Sequence, residues 1–379
     1  MHMNDKIKIC TQFFFFPPNV EFKAGAPYTV YFNDDIFEVV KFEDFRPDGK
    51  NYLVLDCQPT ETIDFLARKN KKFYEDCIKN NIDFVFCHEG WNLFMIEEDI
   101  FKSNVDKNQL LYWQIINCLE KNGITEDKVY FIHCAGGYLE EVQMIKKNIV
   151  QWTGAPIDIK SKHLELPLYL PWAQNRQAKT AINLQYHFAC LFAGRPAQHR
   201  HDLVKDLWYK GLLNKGKISL TKIQDQSDFG KLPDITFDKV INLHTLPGYQ
   251  SREDNVFEDI FLWVAGETAC PNQYPNFSEK LVRGILHQRP FALLGNTGSL
   301  AYLRKFGFKT FNDFWDESYD LDSTFKDRIL KVSKIIEDIC VKDLHTLRSM
   351  LDDMRPILEH NKKLLVETNW TGRVVNFLS

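Results

Sequence analysis

The chain has 379 residues, and at roughly 150 residues per domain that length allows two or three domains. A hydrophobic content of 44% excludes disorder over most of its length, and 18 Gly and 15 Pro scattered along it exclude collagen-like or low-complexity chains. Lys+Arg 47 against Asp+Glu 51 leaves a formal net charge of -4, so a polyanion would have to be met by a local basic groove rather than by the chain as a whole.

The aromatic run Phe13 to Phe16 is closed by Pro17 and Pro18, too short for a signal-peptide core or a membrane span. A cytoplasmic location is expected. Short apolar runs at 6–10, 38–42, 51–56, 82–87 and 128–134 predict strands, with helices near 62–80, 107–122 and 137–149. The runs VLDC, FVFC and YFIHC are apolar throughout rather than alternating, as in strands buried on both faces of a parallel sheet. Nine cysteines without a C-x-x-C spacing predict reduced, buried thiols, and paired zinc ligands are not found.

Residues 154–176 hold Pro and Gly punctuation and predict a crossover linker ending in a helix near 177–185. Strands at 186–192, 217–220, 239–243, 260–265 and 291–294 then alternate with helices at 199–213, 277–288 and from Ser299. Apolar stripes on Ile329, Val332, Ile336 and Ile339, and on Leu344, Leu347, Leu351, Met354 and Leu358, predict terminal helices that pack on a core. The fold class expected is α/β with two Rossmann-like domains facing a cleft and a helical C-terminal tail. Residues 1–180 form the N-terminal domain, 181–330 the C-terminal domain, and 331–379 the tail packing back on them.

Ligands of open α/β sheets bind beyond the carboxyl ends of the strands, so motifs that follow strands carry the functional expectation. Gly194-Arg195-Pro196 follows one strand, and Arg195, Arg200 and the helix start near His199 suit a diphosphate; surface charges on a helix cap are the alternative. His199 and His201, two apart, make a poor metal pair. Another strand delivers Glu267, and Ser278-Glu279-Lys280 opens a helix. Lys280 in a first turn opposes the helix-dipole preference, which an anionic ligand explains, while Glu279 can be a stabilising first-turn acid. Gly295, Asn296, Gly298 and Ser299 form a second small loop that can approach a ligand or be an ordinary βα turn. Glu89, after His88 at the end of a buried strand, is a candidate general base or a capping acid, and His133 is a lesser candidate. Asp313, Asp316, Glu317, Asp320 and Asp322 form an acidic cluster ahead of a helix; no metal site is assigned to it.

The run from Glu267 through Glu279-Lys280 and Pro290-Phe291 resembles the donor-binding half of fucosyltransferase-like, GT-B fold glycosyltransferases of bacterial or phage type. The resemblance covers about residues 185–330. It implies that residues 1–180 are the acceptor domain and 181–330 the donor domain, that a nucleoside-diphosphate sugar is the donor substrate, that no metal or other cofactor is obligatory, and that the anomeric carbon commonly inverts. It places the phosphate-binding arginine at Arg200 and the base at Glu89. In that mechanism the base takes the proton of an acceptor hydroxyl as the diphosphate leaves, Arg200 and Lys280 neutralise the leaving group, and Glu267 and Glu279 orient ribose or sugar. A glycan acceptor is expected, with His88, His133, Trp172 and Arg176 as possible acceptor-side residues. A hydroxymethylated pyrimidine in phage DNA is the alternative acceptor, met by Lys162, His163, Trp172, Arg176 and Lys179. Other classes to weigh are a non-catalytic two-domain binding protein and a nucleotide-sugar isomerase.

Overall fold

The computed structural model describes residues 7–12, 37–39, 42–45, 47, 49–56, 59–88, 111–133, 136, 159–167, 169–174, 178, 182–192, 197–220, 254–267, 274–322 and 324–379. It is an α/β structure with two parallel sheets, in two compact units: residues 1–172 with 369–379, and residues 173–368.

Among the described residues the first unit has six parallel strands, β1 (Ile7–Gln12), β2 (Phe37–Val39), β3 (Asn51–Asp56), β4 (Ile82–His88), β5 (Val129–His133) and β6 (Lys162–Glu165), in the order β2-β1-β3-β4-β5-β6. Its helices are α1 (Pro59–Arg68), α2 (Lys71–Lys79), α3 (Leu111–Glu120) and α4 (Tyr169–Ala173). Leu53, Leu55, Phe84, Phe86 and Phe131 of the strands share one core with Leu66, Tyr74, Ile115 and Leu119 of the helices, the burial that continuous apolar strands require.

Four local expectations need correction. The helical run 62–80 is two helices, because the Asn70 side chain accepts from Phe73 N at 3.0 Å and starts a new one. Strand pairing near 38–42 stops at Val39, and Phe42–Asp44 is a 3-10 turn. The linker of 154–176 contains β6 and α4. In the expected helix 177–185, residues 182–185 are not helical: Asn183 N and Gln185 N donate to Glu258 O at 2.7 Å and to Asp259 O at 2.9 Å. The expected helix 137–149 and strand 239–243 lie outside the described residues.

The second unit has β7 (Tyr186–Phe192), β8 (Gly216–Leu220), β9 (Ile260–Gly266) and β10 (Phe291–Leu294), all parallel, in the order β10-β9-β7-β8. Its helices are α5 (Gln198–Tyr209), α6 (Glu279–Leu286), α7 (Ser299–Lys305), α8 (Phe325–Cys340) and α9 (Leu344–Glu367). Every residue of β9 and β10 is buried. The stripes on α8 and α9 do pack inward: Ile329, Val332, Ile336, Ile339, Leu347, Leu351, Met354 and Leu358 are all buried. Polar pairs fix these helices in place. Lys210 donates to Ser333 at 2.9 Å, and buried Asn361 bonds both N–H and carbonyl of Lys309 at 2.8 Å.

The last helix, α10 (Trp370–Leu378), belongs to the first unit. The buried Tyr52 hydroxyl donates to Leu378 O, Lys50 donates to Ser379 O at 2.8 Å, and the Tyr130 ring meets Phe377 edge-on at 5.5 Å. Cys77, Cys190 and Cys340 are free, buried thiols, and Cys10 and Cys87 are also buried. Among the described residues no helix is long and apolar enough to cross a membrane.

Candidate functional site

The second sheet reverses its direction of growth between β7 and β9. From β7 the chain passes through α5 to β8 on one side, and β9 then pairs with β7 on the other. Connections leaving neighbouring strands in opposite directions open a crevice at their carboxyl ends, where open α/β sheets bind ligands. The residues singled out above meet there. Arg200 lies in the first turn of α5, and its guanidinium donates to Gly266 O, the last residue of β9, at 2.6 Å. His199 donates from Nε2 to Glu267 O at 2.7 Å.

Gly266 is demanded by packing, since a Cβ at that position would stand 2.6 Å from the Phe192 ring. The Arg200 guanidinium lies over the same ring, 5.7 Å from its centroid. Glu267 is buried, and its Oε1 accepts from Ser278 N at 2.8 Å. Ser278 caps α6 by accepting from Lys280 N at 3.3 Å, as its place before Glu279-Lys280 suggests. The α6 backbone is pinned to β9 by Trp263 Nε1, which donates to Lys280 O at 2.7 Å.

The charges form a compact set. Lys280 Nζ donates to Glu279 Oε1 at 2.7 Å and Ser278 Oγ at 3.1 Å, and stands 3.9 Å from Glu267 Oε2. The two carboxylates therefore account for a lysine at a helix start without any ligand. Burial pushes the Glu267 carboxyl above its ordinary range, against the pull of Lys280. Burial works the same way on Glu279, but the adjacent Lys280 ammonium and its hydrogen bond prevail and hold Glu279 below its ordinary range. Burial also disfavours the Lys280 charge, yet the Glu279 and Glu267 carboxylates outweigh it and raise the lysine. Exposure divides the four groups. The side chains of Glu279 and Lys280 are 21% and 24% exposed, while Glu267 and Arg200 are each 2% exposed.

The neighbouring loop, Gly295 to Ser299, is occupied by the protein itself. Asn296 donates to Tyr274 O at 2.9 Å and to Asn276 Oδ1 at 3.1 Å, and Ser299 Oγ accepts from Asn276 N at 3.2 Å. Gly298 has a φ of 77°, a left-handed conformation that favours glycine. The amide groups of Leu300 and Ala301 donate to the two Asp320 carboxylate oxygens at 2.9 and 3.1 Å, and Arg328 donates to Gly295 O and Thr297 Oγ1. The acidic cluster is thus a set of internal partners. Asp320 caps α7, Glu317 accepts from Phe311 N and Arg304, Asp316 accepts from Ser318, and Asp322 pairs with Lys331 at 2.9 Å. Among the described residues no group of His, Cys, Asp or Glu is arranged to hold a metal ion.

Glu89, Arg176, Lys179, Gly194 and Arg195 lie outside the described residues, as do the side chains of His88, at the end of β4, and Trp172, in α4. His133 ends β5 and is fully buried, with Nε2 at 2.9 Å from His163 Nδ1. Lys162 donates to Tyr130 OH at 2.8 Å. Lys162 is exposed and His163 half-buried, and each makes a hydrogen bond within the first unit. The roles of His199, Tyr112, Glu126 and Ser161 were not read from the sequence: His199, Glu126 and Ser161 stand among charged and polar neighbours, and Tyr112 in an apolar run reads as core.

Neither a protein-family model nor a curated protein matches the chain. Several solved structures align with it weakly, two of which are described. One is S. aureus TarM, as a variant in complex with Fondaparinux, alpha-GlcNAc-glycerol and UDP, at 12% identity and a TM-score of 0.41, covering 86% of this chain and 54% of that one. The present chain thus spans about half the length of that protein. The other is a DNA-modifying beta-glucosyltransferase studied with and without uridine diphosphoglucose, at 8% identity and a TM-score of 0.39, covering 99% of this chain and 100% of that one.

Proposed function

We propose that the protein is a glycosyltransferase of the GT-B type that moves a sugar from a nucleoside-diphosphate donor to an acceptor hydroxyl, with inversion and without an obligatory metal. The observation that carries this reading is the convergence of Arg200, Glu267, Glu279 and Lys280 on the carboxyl edge of a four-stranded parallel sheet at its switch point. Two cations there suit a leaving diphosphate, whose developing charge needs fixed positive partners.

The difference in exposure supports a division of parts. Lys280 meets the diphosphate, and Glu279, released from its pair with Lys280, accepts from ribose or sugar hydroxyls. Arg200 and Glu267, buried behind them, hold the β9 terminus and the α6 start in register and supply field rather than contact. Glu89 is the proposed base for the acceptor hydroxyl, and the proposed acceptor is a glycan.

The test is a thermal-shift panel of nucleoside diphosphates and their sugars, without added metal, on the wild type and Lys280→Ala. A donor at 100 times its Kd adds about 2.7 kcal/mol of stability. A selective shift lost in Lys280→Ala supports the reading. No shift with any nucleotide on the folded wild type overturns it.

A further inference from the structure

The second unit carries a cleft of about 460 Å3 between α5 and α8. That volume lies within the roughly 300–1,000 Å3 of small-molecule pockets. Its two walls differ in chemistry. α5 presents Gln198, Asp202, Asp206 and Tyr209, which recur at spacings of three and four and so share one helix face, with Lys205 beside them. α8 presents Phe325, Ile329 and Leu330, with the exposed Lys326. His199 lines the same cleft, and its bond to Glu267 O at 2.7 Å joins the cleft to the residue that follows β9.

The polar wall is only partly used by the fold. Gln198 donates to Asp202 Oδ1 at 2.6 Å, and Asp206 Oδ2 accepts from Ser333 and pairs with Lys210 at 3.0 Å. Each carboxylate keeps its second oxygen for another donor. Lys205 and Lys326 have no ion pair among the described residues. Tyr209 is 70% exposed and Leu330 45%, so core burial fixes neither. Phe325 is held firmly: the Arg328 guanidinium lies over its ring, 4.7 Å from the centroid, and the His199 ring packs against it at 5.1 Å. Arg328 is itself bound to the carbonyl oxygens of Gly295 and Tyr319. A rigid aromatic ring on one helix thus shares the cleft with a row of available polar groups on the other.

Asp202 and Asp206 offset Lys205 and Lys326, so the walls carry no net charge. A diphosphate is disfavoured there, because the carboxylates repel it as the lysines attract it. A purely apolar chain would strip water from the α5 row without replacing its hydrogen bonds. The ligand that satisfies both walls is neutral, rich in hydroxyl groups and apolar on one face. A pyranose ring has that form, with C–H bonds on its face and hydroxyl groups that donate and accept around its edge. We propose that the α5–α8 cleft is a saccharide-binding site, in which Phe325 and Leu330 meet the C–H face of a sugar ring and Asp202, Asp206 and Tyr209 take its hydroxyl groups. The site holds a neutral glycan and is separate from the groups assigned to transfer. It stands independently of the transferase reading.

The test is calorimetric titration of the full-length protein with maltotriose, cellotriose and chitotriose, without nucleotide or metal. At least one is expected to bind with a millimolar or lower Kd, and saturation-transfer NMR is expected to mark the ring C–H protons of the bound sugar. Tyr209→Ala, at an exposed position that the core does not need, and Asp202→Ala are each expected to weaken binding about tenfold, or about 1.4 kcal/mol. Phe325→Leu is expected to do the same and to remove the saturation of the ring protons. No binding of any of the three to the folded wild type, or affinities unchanged in both Tyr209→Ala and Asp202→Ala, would overturn the site. So would displacement of the sugar by uridine diphosphate, or tighter binding of dodecyl phosphate than of all three sugars. Saccharide binding that these variants weaken, in a protein that responds to no nucleotide, would uphold the cleft and sink only the transferase reading.

Discussion

His199 donates its Nε2 proton to the carbonyl of Glu267 across 2.7 Å, tying the first turn of α5 to the residue that follows β9. Burial lowers the imidazole to about 4, Arg200 adds to the effect, and the Glu267 carbonyl opposes it. The folded state therefore binds fewer protons than the unfolded chain between pH 6.5 and 4. Stability is full above the unfolded value and falls as the pH drops through that window. At pH 5 the loss from this group is roughly 2 kcal/mol. The difference in urea midpoint between pH 7 and pH 5 is expected to shrink in His199→Gln, which keeps a donor but does not titrate. An equal difference in both proteins would refute the assignment.

The Lys280–Glu279 contact is expected to show a coupling of about 1–2 kcal/mol in a double-mutant cycle with Lys280→Met and Glu279→Gln, since both side chains are only about a fifth to a quarter exposed. Lys280→Met alone is expected to be the more destabilising change, because Glu267 also loses its facing charge. Chemical denaturation of the four proteins measures this.

Asp320 binds two successive amide groups of α7, so Asp320→Ala is expected to cost about 2–3 kcal/mol and Asp320→Asn about 1–2 kcal/mol, since an amide replaces one of the accepting oxygens by a donor. Magnesium or manganese is expected to leave the wild-type melting temperature unchanged, because the Asp320 and Asp322 oxygens face backbone amides and Lys331. A metal-dependent rise abolished by Asp320→Asn would contradict both statements.

Two glycines are expected to resist enlargement. A Cβ on Gly284 would stand 2.6 Å from Trp263, and one on Gly266 2.6 Å from Phe192. Each alanine variant is expected to lose about 1–3 kcal/mol, and Phe192→Leu is expected to rescue part of the loss in Gly266→Ala. Thermal melts of the single and double variants decide it; no rescue would mean that the cost arises elsewhere.

The strands β3, β4, β5, β7, β9 and β10 were legible because each is built on an unbroken apolar run. β6 was not, since Lys-His-Leu-Glu mixes charge with one aliphatic residue and is held by pairing with β5. α4 was hidden by Pro171, which the first turn of a helix tolerates. At the candidate site, Glu267 and Ser278-Glu279-Lys280 stood out because they follow a strand and open a helix. The neutralisation of Lys280 by the two carboxylates did not, because it depends on which carboxylates the strand end and helix start bring together. The same holds for the buried hydrogen-bonded chain of the first unit: Tyr112 and Glu126 are 14 residues apart, and the path through Ser161 and His163 joins them to His133.

Placing α10 in the first unit also has a consequence for synthesis on the ribosome. The sheet face bearing Tyr52 and Tyr130 receives its partners from residues 377 and 378, which are translated after the whole of the second unit. A nascent chain that has finished β6 still lacks the cover for that face, so the first unit to emerge is the last to be completed. A chaperone that shields exposed aromatic surface would find its target there, during the interval in which some 200 further residues are added at about 5–20 per second.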